Sequence, residues 1–141
     1  MSFKLTPRSI ARQLAVQGIY CYIINPNSVV DILKFLQDLV PDKIYDKADL
    51  QLLTFLLEHG TKQFDLLLSQ YNNLSHREID SINKIEQVIL VIAAIELIET
   101  KNIDSAIMIN EAINLAKIFA SDHSYKFINT LTDLLAKKIR K

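Results

Sequence analysis

Ile85-Glu86-Gln87-Val88-Ile89-Leu90-Val91-Ile92-Ala93-Ala94-Ile95-Glu96-Leu97-Ile98 is the stretch on which the fold class turns. It contains eight consecutive apolar residues, Val88 to Ile95, many of them β-branched. Such a run fits a buried strand or a buried helix. Glu86 and Glu96 flank it and turn residues are scarce around it, which favours the helix. Its apolar positions go all round the helical wheel, the pattern of a helix covered on every side. The stretch predicts the buried central helix of an all-α fold.

The neighbouring segments carry helix signals of their own. Upstream, Ser75-His76-Arg77-Glu78 has the Ser-x-x-Glu spacing of a reciprocal cap and predicts a short helix, after a loop at Asn72-Asn73. Asp46 opens a long apolar stretch, Leu50 to Leu68, in which Gly60 predicts a bend or break. Thr6-Pro7 predicts a helix entry: a hydroxyl caps free amides, and a proline costs nothing in the first turn. That helix runs to about Ile24 and stops at Asn25-Pro26-Asn27, and Ser28 caps a second helix ending near Val40-Pro41. Downstream, Asp104 or Ser105 begins a helix to about Phe119, and Ser121 or Asp122 begins the last one.

Composition agrees with helices and narrows the function classes. A chain of 141 residues fits one domain, residues 1–141, and 2 Gly with 3 Pro is too little turn material for an all-β chain. No 18-residue apolar run suggests a membrane span, and Met1 to Arg8 has no signal-peptide pattern, so a cytoplasmic protein is expected. The single Cys21 cannot form an internal disulfide and falls at an apolar helix position with no histidine beside it in sequence, the setting of an inert thiol. His59, His76 and His123 lack metal-ligand spacing, and Gly60 alone makes no phosphate-cradling loop. A binding module without cofactor or metal is expected, not an enzyme.

Formal charge sums to zero but is unevenly spread. Residues 1–12 carry Lys4, Arg8 and Arg12 with no acid. Residues 126–141 carry Lys126, Lys137, Lys138, Arg140 and Lys141 against Asp133, which leaves an acidic middle. If the first and last helices lie side by side, the two ends make one patch for phosphates; otherwise the cations only solubilise frayed termini. On the first helix, Arg8 and Arg12 share a face, Gln13, Gln17 and Tyr20 occupy another, and Ile10, Leu14, Gly18 and Cys21 point to the core.

In Ile109-Asn110-Glu111-Ala112-Ile113-Asn114-Leu115-Ala116-Lys117, the residues Ile109, Ala112, Ile113 and Ala116 form an apolar stripe, while Asn110, Asn114, Lys117 and Ser121 form a polar one. Glu111 falls near Leu115 and Ile118, at the edge of the core, where a carboxylate needs a partner. This segment continues through Phe119, Ser124, Lys126-Phe127-Ile128-Asn129 and Asp133, and in order and spacing it is similar to one found in the bacterial transcription antitermination factor family NusB. Two further blocks resemble that family: Ala11-Arg12-Gln13-Leu14-Ala15-Val16-Gln17-Gly18-Ile19-Tyr20, and Glu86 with Ile89-Leu90, Ile92-Ala93 and Glu96-Leu97. Residues 25 to 75 match in helical character alone.

The resemblance implies an all-α, NusB-like fold of about seven helices in two small bundles. It implies binding of boxA RNA together with NusE, a small-subunit ribosomal protein, within the RNA polymerase antitermination complex that supports ribosomal RNA transcription. Lys4, Arg8 and Arg12 suit phosphates, and Lys126 beside Phe127 pairs a cation with an aromatic face for single-stranded bases; Phe127 is otherwise a core residue. Tyr20 and Glu86 are implied as NusE contacts, Glu86 being otherwise a first-turn acid favoured by the helix dipole. The chain departs from the family pattern at Arg8-Ser9-Ile10, Val91 and Thr130, where arginines, an arginine and a glycine are usual. The alternatives are a NusB-like RNA-binding domain of the kind fused to ribosomal RNA cytosine methyltransferases, and a helical homodimeric scaffold without specific RNA binding.

Overall fold

The computed structural model describes residues 5–140. Among them are eight α-helices, one 3₁₀ turn and no strand. The chain divides into two compact units, Met1–Lys62 and Gln63–Lys141. The first holds α1 (Pro7–Ile24), α2 (Val29–Leu39), α3 (Asp42–Lys47) and α4 (Leu50–Lys62); the second holds α5 (Phe64–Ser69), α6 (Lys84–Glu99), α7 (Ser105–Phe119) and α8 (Ser124–Ile139).

In the first unit the local signals act as expected. Thr6 Oγ1 accepts from Ser9 N at 3.1 Å and Ser28 Oγ accepts from Asp31 N at 3.1 Å, so each hydroxyl satisfies an amide that its helix leaves free. Helix α1 packs against α4 and α2. Gly18 permits this approach: a Cβ there would lie 2.7 Å from Leu57 Cδ2 and 3.0 Å from Ile32 Cγ2. Asp49 ties the starts of two helices together, its amide donating to Pro7 O at 2.9 Å and its carboxylate accepting from Leu52 N at 3.0 Å. The break expected at Gly60 occurs at Gln63 instead, and Gly60 is a buried residue inside α4. A glycine covered by its neighbours keeps helical geometry, because the penalty for its backbone freedom is only about 1 kcal/mol. The short helix α3 was not anticipated from the sequence; Pro41 precedes it without a side-chain cap.

In the second unit α6 is the central helix predicted by its apolar run. Every residue from Glu86 to Leu97 is buried. Helices α5, α7 and α8 pack on it. Fully buried Tyr71 donates its Oη to Leu90 O at 2.6 Å, and burial holds the phenol pKa above its ordinary value, so the hydroxyl remains a donor. Gln87 Nε2 donates to Ile79 O at 3.0 Å and fixes the 3₁₀ turn Ile79–Ser81 against the first turns of α6. Ser75 does not open an α-helix. Its Oγ accepts from Arg77 N at 3.0 Å, a two-residue hydroxyl turn in place of the reciprocal cap. On α7 the buried positions are Met108, Ala112, Leu115 and Ala116, with Ile109 and Ile113 half-buried beside them.

Candidate nucleic-acid interface

Helix α8 begins without a side-chain cap from His123. The hydroxyls of Ser121 and Ser124 lie 2.9 Å apart and close the turn before it. The first turn then presents Tyr125, Lys126 and Phe127, of which Lys126 is exposed and the two rings are half-buried. Phe127 is therefore not sealed in the core. The Arg77 guanidinium stands over its ring, 4.7 Å from the centroid, and Arg77 itself is exposed. Residues 125 and 127 point to different sides of a helix. On Tyr125 the cation is Lys117, 5.0 Å from the ring centroid.

Arg77 is the residue the sequence reading missed at this site. It sits 50 positions before Phe127, and no local pattern links them. Next to it, a polar pocket of about 460 Å³ is lined by residues of the 72–80 segment, including Asn72, Asn73, His76, Glu78 and Asp80. Asn73 turns the chain there with φ 69°, a left-handed conformation that asparagine tolerates better than most residues.

The basic face expected on α1 is only partly present. Lys4 lies outside the described residues. Arg8 keeps a side chain 43% exposed and faces Asp49 Oδ2 at 3.8 Å, a loose pair that solvent screens. Arg12, expected as a phosphate contact, is 3% exposed and already has a partner within the protein. The physical reason is readable on the helix: Arg12 lies one turn before Ala15 and Val16 and two turns before Ile19, all buried, so α1 has a second covered face. A cation there is held by the fold and is not offered to solvent.

The basic end of the chain is also largely committed. Arg140 donates to Leu97 O at 2.9 Å, Thr100 O at 2.8 Å, Glu96 O at 3.3 Å, Ser105 Oγ at 3.2 Å and to Ile103 O. It thereby adds a donor to the carbonyls at the end of α6 and in the following turn, of which those of Glu96 and Thr100 also accept from Thr100 N and Ile103 N. Lys137 pairs with Asp133 at 3.0 Å and Lys138 Nζ donates to Gln70 O at 3.2 Å. Lys141 lies outside the described residues.

Of the two residues expected to meet a protein partner, Tyr20 is half-buried and lines a groove of about 360 Å³ with Cys21, Ile24, Ile32 and Phe35. Ile24 and Phe35 are exposed at 64% and 48%, so the groove is an apolar surface with a phenol at its wall. Glu86 is in the first turn of α6 and 6% exposed. Its carboxylate has no hydrogen-bond or ion-pair partner among the described residues. Among the described residues no buried side-chain oxygen lacks a partner, so its oxygens keep contact with solvent. This is a narrow acidic window in an otherwise covered helix. Glu111 is half-buried and has a partner, as its place at the edge of the core requires.

No helix among the described residues is long and apolar enough to cross a membrane. The chain is similar along its length to two proteins named transcription antitermination protein NusB. The one from Chromobacterium violaceum is 33% identical over 135 residues, covering 96% of this chain and 89% of the relative. The one from Colwellia psychrerythraea is 34% identical over 137 residues, 97% of each chain. The fold is that of T. maritima NusB, with TM-score 0.69 and 23% identity over 94% of this chain and 92% of that one. The model of the NusB family matches residues 9–136, across both units, and the chain belongs to the NusB family.

Proposed function

We propose that this protein is a transcription antitermination factor that binds boxA RNA together with NusE and joins the RNA polymerase complex supporting ribosomal RNA transcription. The observation that carries this reading is the family match, which extends over residues 9–136. The site chemistry supports it. Lys126 and the ring of Phe127 combine a cation with an aromatic face, as single-stranded bases require. Lys4 and Arg8 supply phosphate contacts, which give affinity without reading sequence. Arg12 leaves this set because it is buried and already has a partner within the protein. The Tyr20 groove and the Glu86 carboxylate receive NusE, the tyrosine as an amphipathic anchor and the acid as the complement of a basic ribosomal protein. The protein works in the cytoplasm as an adaptor, with no covalent chemistry and no cofactor.

Titration of the full chain with a boxA-like RNA, alone and with NusE, across a salt series tests the reading. NusE should raise the affinity for RNA, and binding should weaken steeply with salt. Equal binding of a scrambled RNA with no gain from NusE contradicts it. Glu86→Ala should weaken NusE binding and leave RNA binding by the chain alone unchanged.

A further inference from the structure

The geometry points to a nucleobase subsite on Arg77, in which Phe127 is the support and the guanidinium is the stacking surface. The inference rests on the RNA-binding reading above and names the residue that takes a base within it. The Arg77 guanidinium already covers the Phe127 ring at 4.7 Å, so a base arriving at that face meets the arginine first. A guanidinium is planar and delocalised, weakly hydrated for a cation, and stacks between two π faces. Arg77 is exposed, and among the described residues no carboxylate pairs with it, so its outer face is open to a ligand. The hydroxyl turn from Ser75 to Arg77 N at 3.0 Å and the positive φ of Asn73 fix the backbone that presents it.

The neighbouring pocket separates a base from a phosphate. Its Asn72 and Asn73 amides donate and accept, His76 and the Arg77 guanidinium add donors, and Glu78 and Asp80 are two carboxylates that offset the arginine's charge. Acids repel a phosphate and accept from an exocyclic amine. The ligand is a base of single-stranded RNA stacked on Arg77 with its edge toward the 72–80 segment, and two carboxylates there favour an amino-bearing adenine, guanine or cytosine over uracil, which has one ring N–H to offer them. Lys126, exposed next to Phe127 in sequence, provides the nearby positive charge for the strand's backbone.

The test uses the full chain and a single-stranded boxA-like RNA carrying 2-aminopurine at one position at a time, read by affinity, salt dependence and fluorescence. In the wild type one position should brighten as its base leaves the stack of the strand for the guanidinium, and uridine at that position should weaken binding. Arg77→Ala should weaken binding about tenfold and abolish that brightening. Arg77→Lys keeps the charge without the plane, so it should lose nearly as much affinity and the brightening while keeping the salt dependence. Unchanged thermal unfolding of both variants would show that the loss is one of binding. Wild-type affinity and brightening in Arg77→Lys would overturn the stacking role, and wild-type affinity in Arg77→Ala would overturn the subsite; either result leaves the family function standing. A wild type that binds no single-stranded RNA overturns the RNA-binding reading and this inference together.

Discussion

At the start of α1, two arginines one turn apart differ: Arg8 is partly exposed and loosely paired with Asp49 at 3.8 Å, while Arg12 is 3% exposed and held by the protein. In the segment before α6, Arg77 is exposed and its guanidinium lies over Phe127. The first region is rich in formal positive charge, while Arg77 stands beside Glu78 and close to Asp80. Recognition of a single strand depends on which cations present a face to solvent and what supports them, not on how many are close in sequence. Arg140 makes the same point at the other end of the chain, where a cation in a basic terminus is spent on five acceptors at the end of α6 and beyond.

The largest effect belongs to Arg12. Removing a buried cation leaves its partner unsatisfied, so Arg12→Ala should cost about 3 kcal/mol of stability, measured by urea unfolding. A loss below 0.5 kcal/mol would show that this arginine is a surface residue in solution. Next in size, Arg140→Ala should cost about 2 kcal/mol, because carbonyls at the end of α6 lose a donor, and hydrogen exchange should accelerate there before it does in the rest of α6. Protection unchanged at residues 97–105 would contradict the capping role. Gly18→Val should follow at about 1–2 kcal/mol, since any Cβ meets Leu57 and Ile32 within 3.0 Å. A variant as stable as wild type would mean that the α1, α2 and α4 packing gives way more readily than these distances imply. The smallest effect belongs to Arg8→Ala, whose loose exposed pair contributes at most about 0.5 kcal/mol to stability. That variant should bind RNA a few-fold more weakly, with a salt slope shallower by about 0.7; an unchanged slope would remove Arg8 from the phosphate contacts.

What the sequence revealed was what short-range chemistry controls. Thr6 and Ser28 cap their helices because each hydroxyl needs to reach only three residues. The Val88 to Ile95 run identifies α6 because a stretch apolar on every side must be covered on every side. Helix α3 escaped notice because six residues with no side-chain cap leave too little pattern. Gly60 misled because burial overrides its propensity. Among site residues, Lys126 and Phe127 were legible as adjacent residues in a family-like block, and structure adds that both reach the surface. Arg12 carried a readable warning in Ala15, Val16 and Ile19, which share its side of α1. Arg77 carried none, because its aromatic support comes from a helix 50 residues further along the chain.

Urea unfolding and boxA-like RNA affinity, measured side by side for Arg12→Ala and Arg77→Ala under conditions where both remain folded, separate a buried cation from a presented one most directly. Opposite outcomes are expected: Arg12→Ala loses about 3 kcal/mol of stability and keeps RNA affinity within about twofold, while Arg77→Ala keeps its stability and loses about tenfold in affinity. An Arg12→Ala protein of wild-type stability that no longer binds RNA, beside an Arg77→Ala protein that binds normally, would contradict both expectations.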